Sequence, residues 1–259
     1  MIDLPDSSHF SALVADQRFY AVLAVTVLAG LVRGFSGFGS ALMFIPLASA
    51  IYEPRIATAS FLLIDFFCTI PLFLRLYPTS NKKEVWPLSL AAAVTIPLGA
   101  MFLRVVDPVH LRWGIAMVIL LLVTVLISGW RMRSAASLPL TIVVGLISGF
   151  SGGATQLVGP FAIVYWLGSK SSAAVVRANL VVLFGLTGAV LCVAYFFQGL
   201  FPPPIVALSL LLAIPYVLSL QVGGYFFKGS SETLYRKVAY AIVVLAALVS
   251  LPIFDGLIR

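Results

Sequence analysis

From Ala178 to Phe227 the chain contains no Asp, Glu, Lys or Arg. Such a run is too long for a helix in the core of a soluble domain, and a helix crossing the hydrocarbon of a bilayer needs about 20 apolar residues. The rest of the chain agrees: 61% of its residues are hydrophobic and 10% charged, where soluble domains carry roughly a quarter charged. Lipid is the solvent that such a chain can satisfy. In lipid each backbone N–H and C=O must be paired internally, so long apolar runs fold as helices. The expected fold is an all-α polytopic membrane protein.

The apolar segments run Phe19 to Val32, Phe38 to Tyr52, Ile56 to Leu76, Val85 to Leu103 and Leu111 to Trp130. They recur as Leu138 to Ser148, Ala154 to Leu167, Ala173 to Phe197, Ile205 to Phe227 and Leu234 to Phe254. Each half therefore reads short, short, long, long, long. The sequence repeats as well, because Gly30-Leu31-Val32-Arg33-Gly34-Phe35-Ser36-Gly37 returns as Gly145-Leu146-Ile147-Ser148-Gly149-Phe150-Ser151-Gly152. Ser40 then matches Thr155, Leu42 matches Leu157 and, after a slip of one residue, Pro46 matches Pro160. A fainter echo pairs Gly99 with Gly223 and Arg112 with Arg236 at a changed offset. The chain divides into an extramembrane arm over 1–18, a first transmembrane repeat over 19–133 and a second over 134–259.

Basic residues orient the segments, since cytoplasmic loops of membrane proteins carry the excess of Lys and Arg. Ten of the sixteen fall on one side: Arg75, Lys82, Lys83, Arg131, Arg133, Lys170, Arg177, Lys228, Arg236 and Lys237. Arg18, Arg55, Arg104, Arg112 and Arg259 fall on the other, and Arg33 belongs to neither. The third segment then enters the cytoplasm while its counterpart leaves it, so the halves are inverted-topology repeats. Inverted repeats place a substrate site near mid-membrane where interrupted helices meet. Met1 to Gln17 holds Asp3, Asp6 and Asp16 without Lys or Arg, which does not fit the positive start of a cleavable signal. It reads as a non-cytoplasmic arm with an interfacial helix through Phe10, Leu13 and Val14. Both termini are expected outside the cytoplasm, in a bacterial inner membrane.

Each G-F-S-G lies between apolar pieces too short to span comfortably, so each half is expected to open with a broken or re-entrant helical pair followed by three transmembrane helices. A helix beginning after each break, near Phe38 and near Gly153, would point free N–H groups and its positive dipole end into a cavity. That makes an anion site without a lysine. Its expected substrate-binding residues are Arg33, Gly34, Phe35, Ser36, Gly37, Gly39 and Ser40 in the first half. In the second they are Gly149, Phe150, Ser151, Gly152, Gly153, Thr155, Gln156 and Asn179. The alternative for the glycines and serines is close packing of membrane helices. Arg33, a charge beside the break, either meets the anion through its planar fork or snorkels to an interface. Asp65, in the middle of the third segment, with Asn179 at nearly the equivalent place of the second half, is a proton carrier or a structural pairing group.

The G-L-x-x-G-F-S-G motif near the start of each half, with Pro46 or Pro160 about ten residues on, resembles the TauE/SafE family of sulfite and organosulfonate exporters. The resemblance spans nearly the whole chain and implies secondary transport of small sulfur-containing anions such as sulfite or a sulfoacetate-like organosulfonate. Alternating access at a site between the two breaks is the expected mechanism. The halves differ at Phe38-Gly39 against Gly153-Ala154 and at Ala41 against Gln156, so a pocket made by both would be asymmetric. An anion channel and a membrane-embedded enzyme or interaction subunit remain the alternatives.

Nothing in the sequence asks for a cofactor or metal. Cys68 and Cys192 sit singly among apolar neighbours, and His9 and His110, one in the arm and one in a loop, have no carboxylate, cysteine or second histidine at ligand spacing. The serines lack the histidine–acid pair of a nucleophile elbow, and no Walker motif is present, so the chain is read as no enzyme. The expected partners are a small anion and the lipid bilayer, with no nucleic acid, and self-association into a homo-oligomer is compatible with this reading.

Overall fold

The computed structural model describes residues 4–36, 39–128, 137–167 and 172–226, with the isolated positions 244, 248 and 251. Among them the ordered elements are helices and no strand occurs: α1 Ser7–Ala15, α2 Gln17–Ser36, α3 Ser40–Ile51, α4 Pro54–Leu76, α5 Lys82–Val105, α6 Pro108–Ile127, α7 Leu138–Thr155, α8 Gly159–Leu167, α9 Ala173–Phe197 and α10 Pro203–Phe226. A short 3-10 turn, Tyr77–Thr79, links α4 to α5. Five helices are long and apolar enough to cross a membrane, over Pro54–Thr79, Lys82–Val105, Leu138–Thr155, Ala174–Phe197 and Pro203–Gly223. The tenth expected segment, Leu234 to Phe254, lies outside the described residues except for positions 244, 248 and 251.

Apolar surface turned outward fits these helices to lipid. On α5, Leu90, Val94, Leu98, Met101 and Val105 form one exposed row at helical spacing, and on α10 Leu210, Ile214, Leu218 and Val222 form another. Several buried hydroxyls satisfy themselves within their own helix, as membrane helices require. Thr26, Thr58, Thr187 and Ser209 each donate to the carbonyl one turn back, at 2.7 Å.

The described residues form two compact units. One holds those of Met1–Ile64, Val106–Val123 and Gly199–Arg259, the other Asp65–Val105 and Thr124–Gln198, so the divide falls within α4 and within α6. In the first unit α2 packs along α10 and against α3; in the second α7 packs along α5 and against α8, and α9 lies on α5 and α8. Each unit thus joins the helical pair of one sequence repeat to a long helix of the other.

The two long pairs meet through the same contacts. A Cβ added at Gly30 would press on the Ser219 hydroxyl and lie 2.8 Å from the Tyr216 carbonyl oxygen. One at Gly149 would meet the Thr95 hydroxyl and the Ala92 carbonyl oxygen in the same way. In return Gly223 abuts the Leu31 carbonyl and Gly99 the Phe150 carbonyl. Lipid tails give helices no hydrophobic reason to associate, so close backbone approach at small residues holds such pairs. The faint Gly99–Gly223 echo is therefore matched by equivalent packing.

This packing also corrects the register of the repeat. By motif Gly30 corresponds to Gly145, yet by contact it corresponds to Gly149, one turn further on. α7 continues a turn beyond G-F-S-G to Thr155. The second break consequently falls over Gln156 to Val158 and α8 starts at Gly159, not near Gly153 as expected. With that extra turn α7 is long enough to span, so its first apolar piece is not a short segment ending at Ser148.

α1 stands 87° from α2 and buries none of its residues. Asp6 caps it by accepting from the backbone N–H groups of Ser8 and His9, and the helix is the one expected of the arm.

Candidate functional site

In the first unit the described part of α2 runs to Ser36; Gly37 and Phe38 lie outside the described residues, as do the side chains of Phe35 and Ser36. The chain resumes at Gly39 with φ 90°, a left-handed conformation that a side chain would strain. Gly39 is the N-cap of α3 and offers no side-chain cap to the first N–H groups. α3 is a core helix: Leu42, Met43, Phe44 and Ile45 are buried, with Phe44 stacked on Phe61 at 4.9 Å. Its N-terminus is therefore enclosed in protein.

Arg33, in the last turn of α2, donates from Nη1 to Ser40 Oγ on the first turn of α3 at 3.4 Å. Ser40 is 1% exposed and Arg33 8%. The guanidinium thus lies inside the unit across the break rather than in a solvated loop. It is joined there by the uncapped end of α3, and both contribute positive potential. Three of the expected residues, Arg33, Gly39 and Ser40, are brought together, and Gly34 occupies the same last turn of α2. Sequence reading placed Arg112 among the flanking charges, but it lies in α6 and is 3% exposed. It is a second buried guanidinium, and only its separation from Pro108 by one turn signalled it.

The second unit treats its copy of the motif differently. Gly149 and Gly153 are inside α7 and pack on α5, where a Cβ at Gly153 would lie 2.9 Å from the Gly99 Cα and 2.8 Å from the Ala100 nitrogen. Phe150 is exposed, with Val143 and Ile147, on the outer apolar face and leans on Phe102 at 5.5 Å, so it does not line the break. Ser151 is half-buried and its carbonyl accepts from Thr155 Oγ1 at 2.8 Å. Gly152 faces Val158 across the break, and Tyr195 Oη of α9 donates to the Gly153 carbonyl at 2.8 Å.

Gln156 ends α7 in a left-handed conformation, φ 61°, the sole such non-glycine among the described residues. Its Nε2 is buried without a hydrogen-bond partner. The amide nitrogen of Asn179, fully buried in α9, is likewise unpartnered. The two donors are not neighbours. Gln156 follows Gly153, which is bonded to Tyr195, and Asn179 precedes Tyr195 on the same helix by about 24 Å at 1.5 Å per residue. Asn179 lies about two turns into α9, whereas Asp65 lies mid-way along α4, half-buried and not isolated. Their expected equivalence therefore does not hold along the helices.

Asn179 belongs to a different polar group. Its Oδ1 accepts from the Asn81 backbone N–H at 2.7 Å, Asn81 Nδ2 donates to Glu84 Oε1 at 2.9 Å, and Trp166 Nε1 donates to Glu84 Oε2 at 2.9 Å. Nothing in the sequence marked Asn81, Glu84 or Trp166, because their partners are distant along the chain.

The histidines are corrected too. His9 Nδ1 is 2.6 Å from Asp6 Oδ1, and His110, in the first turn of α6 rather than a loop, has Nδ1 3.4 Å from Asp107 Oδ1. Both carboxylates are held below their usual range, Asp6 to about 2, chiefly by hydrogen bonds from Ser8 and the His9 backbone, and Asp107 by the Val109 N–H. No group of three or more metal-ligating side chains occurs among the described residues.

The family model for Sulfite exporter TauE/SafE matches residues 22–250. No curated protein matches, and no solved structure does.

Proposed function

The chain belongs to the TauE/SafE sulfite exporter family, a family of membrane transporters and not of enzymes, and on that premise we propose that it exports small sulfur-containing anions, sulfite or a sulfoacetate-like organosulfonate. The observation that carries the reading is the meeting of Arg33 and Ser40 at the uncapped, enclosed start of α3. A buried helix N-terminus attracts an anion through its free N–H groups, and an adjacent guanidinium adds a full positive charge in a medium of low dielectric. Sulfite and sulfonate present three oxygens to such donors, and a planar guanidinium suits two of them at once.

In the second unit Gln156 supplies the corresponding neutral donor at its own break, so the two breaks offer unequal affinity. Alternating access, with the anion passed between states by movement of the short helices, accounts for interrupted helices in a transporter. The inverted topology of the repeats and an inner-membrane location with both termini outside the cytoplasm belong to the same proposal.

Arg33→Lys keeps the charge and loses the fork; Arg33→Ala loses both. Titration of the purified protein with sulfite and ethanesulfonate is expected to show weaker binding in Arg33→Lys and a loss of about ten- to a hundredfold in Arg33→Ala, the worth of a charge-assisted hydrogen bond. Equal dissociation constants in all three proteins would remove Arg33 from the site.

A further inference from the structure

We propose that the second unit carries an anion-loading station where the N-terminus of α5 is tied to the second turn of α9, with Asn179 Nδ2 as its buried donor and Asn81 and Glu84 as positioning residues. The proposal rests on the transport reading and extends it to where the substrate is first received.

The orientation of Asn179 follows from chemistry. A backbone N–H can only donate, so the atom facing Asn81 N must be the amide oxygen and Nδ2 must face away. That nitrogen is fully buried and has no partner, and leaving a buried donor unmade is costly unless something else meets it. Asn81 is itself held. Its carbonyl accepts from Glu84 N and Val85 N, starting α5, and its side chain is gripped by the Glu84 carboxylate. The other oxygen of that carboxylate takes Trp166 Nε1, so the far end of α8 is fastened to the same point. Glu84 acts on the anion through Asn81 and Asn179 and does not itself touch it.

Basic residues flank the group along the chain. Lys82 and Lys83 open α5 and Arg177 precedes Asn179 by two residues; all three are exposed. Lys82 Nζ sits 5.1 Å over the Tyr77 ring, which holds its charge at the rim. The N-terminus of α5 adds its dipole, and three cations against the one carboxylate of Glu84 leave an attractive field for a small oxyanion. The basic-residue pattern assigns this end to the cytoplasm, the side from which an exporter receives its substrate.

Asn179→Asp separates the roles. The carboxylate still accepts from Asn81 N–H, but an acceptor replaces the donor offered to the anion. Full-length wild type, Arg33→Ala, Asn179→Asp and the triple variant Lys82→Gln/Lys83→Gln/Arg177→Gln are titrated in nanodiscs with sulfite and with ethanesulfonate at two salt concentrations. Asn179→Asp is expected to bind about ten- to a hundredfold more weakly, and the triple variant to bind more weakly with a flatter salt dependence. Should Asn179→Asp fail to fold, the exposed triple variant decides alone. Wild-type-like binding in the folded variants, with Arg33→Ala still impaired, overturns the station while the transport reading stands. A wild type that binds neither anion sinks the transport reading and the station with it.

Discussion

At the scale of residues, glycine carries two jobs that the sequence alone does not separate. Gly149 is packed so tightly on Ala92 and Thr95 that a methyl group has no room. Gly114, with nothing within 4 Å of an added Cβ, is a helical glycine of no packing consequence. Gly149→Ala is therefore expected to lower stability by about 1–3 kcal/mol through overpacking, and Gly114→Ala to raise it by up to about 1 kcal/mol through helix propensity. Melting the two variants in the same detergent checks both signs, and equal shifts would contradict the packing account. Asp6 gives a pH test outside the membrane. Its folded carboxyl is depressed to about 2 from 3.8, so the cap is fully present above the ordinary value and is lost as the pH falls through the folded one. Protection factors of the Ser8 and His9 amides, which divide out the intrinsic pH dependence of exchange, should fall only in that acid range; a fall already at pH 5 would assign the loss to another group. Arg33 was legible as a charge with no loop to occupy, but its bond to Ser40 was not, since α3 had to be placed first.

At the scale of elements, hydropathy located the long helices closely, because length and apolar content are the properties a bilayer selects. The breaks were harder. In α7 the G-F-S-G motif lies a turn before the helix end, where Gly149 and Gly153 hold α5. A shared motif does not fix where a helix ends, which depends on the residues that follow, and Gly39 and Gln156 differ. That difference makes Gln156 informative. Glycine would adopt its left-handed backbone without strain, gaining roughly 1 kcal/mol, while removing the buried amide donor. Gln156→Gly should thus melt at the same or higher temperature and transport less. Undiminished transport in a stable Gln156→Gly would show that the break needs only its backbone shape.

At the scale of the whole molecule, membrane class and family were readable from the chain, since both rest on features that run its length. The polar group of Asn81, Glu84, Trp166 and Asn179 was not, because it unites residues from both sequence repeats inside one compact unit. Labelling tests the topology: a cysteine placed at the exposed Lys83 should be protected from an impermeant thiol reagent in intact cells and one at Asp107 labelled, and the reverse pattern would overturn the orientation. The central claim, carrier-type movement of a small sulfur oxyanion, is tested most directly by counterflow of radiolabelled sulfite into proteoliposomes of the purified protein. The account predicts saturable uptake that internal unlabelled sulfite accelerates and external ethanesulfonate competes away. Uptake no faster than in protein-free vesicles, or a flux that neither saturates nor responds to internal sulfite, would contradict it.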